Sequence, residues 1–119
     1  MRRAYAHEAI LVMDDGADLD APGGAITVAL CGGWDHPPPC PLAPHHSRAT
    51  RADGTVVVRT LFATTPDLEA TVREQVGAAL ADGKQADPAG VVSRWRLVSS
   101  RRSDVEADEA AHAATLIRS

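Results

Sequence analysis

The sequence predicts an α+β sandwich: a mainly antiparallel, four-stranded sheet with two helices. Three observations carry this. Aliphatic runs of strand length recur at 8–13, 25–31, 55–62 and 91–100, each bounded by Gly, Pro or Asp. One segment, 66–82, instead repeats its apolar residues at helical spacing. The helical segments fall late in the chain rather than after every strand, which segregates them on the sheet instead of weaving an α/β layer. At 119 residues the chain fits a single domain, 1–119.

The first strand, Glu8 to Met13, is stopped by Asp14 and Asp15. The Asp, Gly and Pro content of 14–24 reads as a loop. Residues 25–31 alternate with period two, with Ile26, Val28 and Leu30 on one face and Thr27, Ala29 and Cys31 on the other. The connection 32–54 is rich in proline and histidine, and its length marks it as functional rather than a simple link. It closes on Asp53-Gly54, a turn that launches the strand Thr55–Phe62. Thr65 is placed to cap the next helix, with Pro66 at the first helical position and Asp67 and Glu69 at the positive end of the dipole. Leu68, Val72, Val76, Ala79 and Leu80 form its apolar stripe, and Gly83 ends it. Val91 to Ser100 form a strand with Trp95 and Leu97 inward and Arg94 and Arg96 outward. Asp104 is placed to cap a final helix whose apolar face is Ala110, Ala113, Ala114 and Ile117. The order β-β-(long loop)-β-α-β-α partly resembles the ferredoxin-like architecture, short of a helix after the first strand.

Composition excludes several functions. The net charge is −4, with one Tyr, one Phe and two Trp. Such a chain lacks both the basic surface and the stacking platforms of a nucleic-acid binder. The longest apolar run, Ala9 to Met13, falls far short of the ~20 residues that span a bilayer. The basic start is followed by no secretory apolar core before Asp14, so a cytoplasmic location is expected. A small core with few aromatic residues gains from a metal, a protein partner or a homodimer interface.

One stretch concentrates the chemistry. Residues 31–46 carry Cys31, His36, Cys40 and His45, with His46 as a further candidate, in the pattern C-x4-H-x3-C-x4-H-H. Two thiolates and two imidazoles suit a closed tetrahedral zinc site. Asp35 is placed to act as a ligand or to orient an imidazole. Gly32 and Gly33 permit a sharp reversal, and Pro37, Pro38, Pro39, Pro41 and Pro44 stiffen the chain. A stiff loop loses little entropy on gathering ligands. A polyproline rise of ~3.1 Å per residue separates His36 from Cys40 by ~12 Å, so a single site requires a bend there. Otherwise Cys40, His45 and His46 form a trio, completed by Cys31 or by a second subunit. The expected function is therefore a small cytoplasmic zinc-binding protein with a structural or regulatory site.

Two alternatives use the same stretch. A metal-free interaction module would present Trp34 and Pro37–Pro39 to a partner. A thiol-based catalytic or redox protein would use Cys40 with His45, whose imidazolium would lower the thiol pKa. No phosphate-cradling glycine loop and no nucleophile elbow is present. Asp14, Asp15, Asp18 and Asp20 crowd one loop without the order of a calcium loop and read as a solvated turn. Arg101 and Arg102 read as a solvated edge, and His7 and His112 as isolated, with His112 facing water. If Arg48, Arg51, Arg59, Arg94 and Arg96 share a surface with His45 and His46, that surface suits an anion.

Overall fold

The computed structural model describes residues 1–31 and 43–119. The elements are β1 (Arg3–Met13), α1 (Ala21–Cys31), β2 (His45–Ala52), β3 (Thr55–Thr64), α2 (Glu69–Asp82), β4 (Lys84–Ala86), β5 (Val92–Ser103) and α3 (Ala110–Arg118). One sheet has the order β2-β3-β1-β5-β4, and every neighbouring pair is antiparallel. The class is α+β, as the sequence predicts, with five described strands rather than four and three described helices rather than two.

The additional helix is α1, where the sequence reading places a loop and a strand. Its buried residues Ala21, Pro22, Ala25, Ile26 and Leu30 recur at three- and four-residue steps. The period-two pattern of 26, 28 and 30 is incidental to this longer one. The start signal lay inside the supposed loop. Asp18 accepts the Asp20 amide through its side chain at 2.9 Å, and Pro22 sits in the first turn, where a missing N–H costs nothing. Gly23 lowers helix propensity but lets α1 approach β2, since a Cβ there would lie 3.3 Å from Ser47 Cβ. With β4 and α3 set aside, the element order is β-α-β-β-α-β. The missing helix of the sequence reading is thus present.

The remaining differences are local. The long connection 32–54 contains β2, which pairs with β3 from His45↔Phe62 to Ala52↔Thr55. The sequence reading has no strand at β4, which among the described residues pairs only with β5. Thr65 is extended before the turn Pro66–Leu68 that opens into α2, but its hydroxyl makes no capping bond. The stripe on α2 holds for Val72, Val76 and Leu80, whereas Leu68 is exposed. At the C-terminal helix the cap is Glu106, which forms a reciprocal box with Glu109, and not Asp104. Its inward face is Ala113 and Leu116 rather than Ala110 and Ile117.

Two apolar clusters flank the sheet. The larger joins Leu11, Val56, Val58 and Phe62 to Ile26 and Leu30 of α1 and to Val72, Val76 and Leu80 of α2. The smaller joins Ala6, Leu61 and Ala63 to Leu116 of α3. Trp95 is buried against α2 and donates its indole N–H to the Leu80 carbonyl at 2.8 Å. Gly83 closes α2 at φ +74°, and a Cβ there would meet the Trp95 carbonyl oxygen at 2.7 Å. Gly83→Ala therefore combines left-handed strain with a backbone clash. It is expected to cost about 2–3 kcal/mol, read as a lower denaturant midpoint. Among the described residues no helix is long and apolar enough to cross a membrane.

Candidate metal centre

Helix α1 ends at Cys31 and β2 begins at His45, so the two ends of the Cys/His stretch meet at the base of the proline-rich segment. Cys31 Sγ lies 3.8 Å from His45 Nδ1. Thr27 precedes Cys31 by four residues and shares its helix face. Its Oγ1 lies 2.9 Å from His45 Nε2. The Ala43 carbonyl oxygen is 3.1 Å from Nδ1. A carbonyl only accepts, so Nδ1–H donates to it, and Nε2 accepts from the Thr27 hydroxyl. A cavity of about 260 Å³ opens beside Thr27 and His45, lined in part by Leu19, Asp20, Gly23 and Ser47.

Cys31 is disulfide-bonded, whereas the sequence, with no visible export signal, favours a metal-bound or free thiol over a disulfide. The other cysteine of the chain, Cys40, lies outside the described residues, as do Trp34, Asp35, His36 and Pro37–Pro39. The structure therefore brings together Cys31 and His45 from the sequence-derived ligand set. His46 is directed elsewhere, because successive strand residues face opposite sides of a sheet. Its ring packs on His112 of α3, with centroids 4.4 Å apart. His45 and His46 thus do not converge. Among the described residues no three His, Cys, Asp or Glu side chains gather as a metal site.

The Cys31–His45 spacing has a chemical meaning. A tetrahedral zinc bound at about 2.3 Å to sulfur and about 2.0 Å to nitrogen separates the two atoms by roughly 3.5 Å. The observed 3.8 Å is close to that edge. Ligation requires Cys31 as a thiolate, hence an open disulfide, and Nδ1 without its proton. The proton then resides on Nε2, and Thr27 Oγ1 becomes its acceptor. That is the support a metal-bound imidazole ordinarily receives. Sequence reasoning missed Thr27, although its i, i+4 relation to Cys31 is a readable signal once 21–31 is taken as helix.

The other candidates resolve into structural roles. His7, read as isolated, is buried on β1, with Nε2 at 2.7 Å from Ser100 Oγ and Nδ1 at 3.1 Å from Arg73 Nη1. A guanidinium only donates, so Nδ1 accepts and Nε2–H points at Ser100. That tautomer is opposite to the one that activates a serine. Burial, with Arg73 adding to it, lowers the His7 pKa to about 4. Arg51 donates to the Asp14 and Asp15 carbonyls, and Arg101 and Arg102 pair with Glu8 and Glu69. Arg48 and Arg59 border one small cavity with His46. Arg94 and Arg96 lie on β5, separated from β2 by two strands, so the five arginines do not form one anion surface with His45. Burial, His112 and Arg48 together lower the His46 pKa. Comparison with known protein families, curated proteins and solved structures finds no match.

Proposed function

We propose that the chain is a small zinc-binding protein whose site is gated by thiol oxidation. In the reduced state Cys31 and His45 supply two ligands from the folded base, and Cys40 and His36 supply two from the proline-rich segment. The metal then pins that segment to α1 and β2, so that loop structure and metal loading are coupled. In the oxidised state Cys31 is held in a disulfide and the metal is released. A peroxide is the oxidant: it takes two electrons from the two thiolates, which form one S–S bond, and with two protons leaves as two waters. The observation that carries this reading is the 3.8 Å approach of Cys31 Sγ to His45 Nδ1. A cytoplasmic location is part of the proposal, and it fits a disulfide that opens and closes, since stable disulfides are rare in that compartment.

The same disulfide favours a second reading, a thiol redox protein that never binds metal. The Trp34/Pro37–Pro39 interaction surface, with a protein partner or a second copy, is a further alternative. Elemental analysis separates the three. Untagged protein purified under reductant is expected to hold one zinc per chain, to lose it on mild peroxide treatment, and to melt lower after chelation. Reduced protein that carries no zinc and melts identically with and without chelator leaves only the metal-free readings.

A further inference from the structure

A second pair of histidines lies across the sheet from Cys31 and His45, at the seam between β2 and α3. His46 and His112 come from distant parts of the chain, yet their rings stand 4.4 Å apart, centroid to centroid, tilted by 39°. Both residues are exposed. They border a cavity of about 90 Å³ that Asp108 also lines, one helical turn before His112.

We propose that His46 and His112 form a thiol-independent site for a divalent transition-metal ion that clips α3 to β2, with copper(II) held most tightly. Two imidazoles bound in cis, with metal–nitrogen bonds of about 2.0–2.1 Å and a right angle between them, set their centroids roughly 4.5 Å apart. The observed spacing matches that arrangement, whereas a tetrahedral angle would spread the rings to roughly 5 Å. Right-angled coordination by nitrogen and oxygen suits copper(II) and nickel(II), and copper(II) heads the affinity order for imidazole sites. Each exposed ring can turn about its Cβ–Cγ bond to aim a nitrogen at the shared point. Water fills the remaining positions, and the Asp108 carboxylate offers a bound water an acceptor within the same cavity.

The surrounding charge permits a cation. Glu109 and Glu8 both pair with Arg59, at 2.8 and 3.0 Å, and offset its charge. Arg48 opposes a metal ion there, while Asp108 favours it.

This site needs neither cysteine, so its failure and that of the Cys31–His45 centre are distinguishable. The experiment uses untagged full-length protein with its disulfide intact and no reductant. Copper(II) binding is followed by paramagnetic resonance and nickel(II) binding by calorimetry. One ion per chain is expected, with nitrogen couplings from two imidazoles and a raised melting temperature. His46→Ala and His112→Ala are each expected to weaken binding by at least about tenfold. His45→Ala should leave it unchanged. Absence of binding by the oxidised protein, or full affinity in both His46→Ala and His112→Ala, overturns the proposal.

Discussion

Replacing Arg59 with methionine is expected to destabilise the protein by about 3–5 kcal/mol. Arg59 is only 8% exposed, and all five of its N–H donors are engaged. Nε and Nη2 bind Glu109 as a fork at 3.0 and 2.8 Å. Nη1 reaches Glu8 and Ser103, each at 3.0 Å, and Nη2 reaches the Asp104 carbonyl at 3.0 Å. One side chain on β3 thus ties β1, the end of β5 and the entry to α3 together. The guanidinium holds the Glu109 carboxyl below its ordinary range, while Arg101, followed by Arg59, does so for Glu8. Removing Arg59 leaves Glu109 buried and charged without its partner, which is the costly way to break a buried pair. The cost should appear as a shifted urea midpoint and as new proteolysis between 103 and 110. The double variant Arg59→Met/Glu109→Leu should recover most of it, because an apolar replacement of both partners leaves no stranded charge. A loss below about 1 kcal/mol in Arg59→Met would place the anchoring of α3 in Leu116 and Ala113 instead.

Acidification from pH 7 to 4 is expected to remove about 3 kcal/mol of stability through His7 alone. The folded pKa of about 4 lies below the ordinary 6.5. Between those values the unfolded chain binds the proton and the folded chain does not. The stabilisation is therefore complete above about 6.5 and disappears as pH falls towards 4. His46 shifts in the same direction, but its exposure makes its share smaller. Glu8 and Glu109, whose pKa values are also depressed, contribute their own losses only below about 4.5. His7→Gln keeps a donor for Ser100 and an acceptor for Arg73 but does not titrate. Its stability should be flatter than wild type between about pH 6.5 and 4 and fall in parallel only once the folded His7 is itself protonated, below about 4. Parallel profiles over the whole range would show that His7 is protonated equally in both states.

Much of the architecture is legible in the sequence where one physical signal acts alone. The Val72–Val76–Leu80 stripe and the αL stop at Gly83 make α2 unambiguous, as Asp53-Gly54 does for the turn before β3. Helix α1 was obscured because Ile26 and Leu30 fit both periods, and Val28 between them completes an alternation although it lies off the buried helix face. Its two glycines also argue locally against a helix that tertiary packing favours. Strand β2 was obscured because its exposed face is His46, Arg48, Thr50 and Ala52, with little apolar alternation to mark an edge strand. The Arg59 cluster could not be foreseen, since its partners come from two segments, Glu8 and 103–109, that lie far from it in the chain. In the candidate centre Cys31 and His45 stand in the ligand set read from the sequence, but their approach follows from α1 ending at one and β2 beginning at the other. The divergence of His45 and His46 follows only once that stretch is known to enter a strand, where neighbours must point apart. Thr27 required the helix.

The most direct test of the metal reading is cobalt(II) substitution in the reduced protein. Cobalt reports its own donors: a thiolate ligand adds intense charge-transfer absorption, and a tetrahedral site adds strong visible bands. The wild-type chain is expected to show both, with one cobalt per chain displaced by zinc. His45→Ala should lose the tetrahedral bands. Thr27→Val should keep them and bind about 10–100-fold more weakly, because it removes only the acceptor that orients the imidazole. A reduced wild-type protein without thiolate–cobalt absorption, or one whose spectrum is unchanged in His45→Ala, would contradict the joining of Cys31 and His45 on a metal.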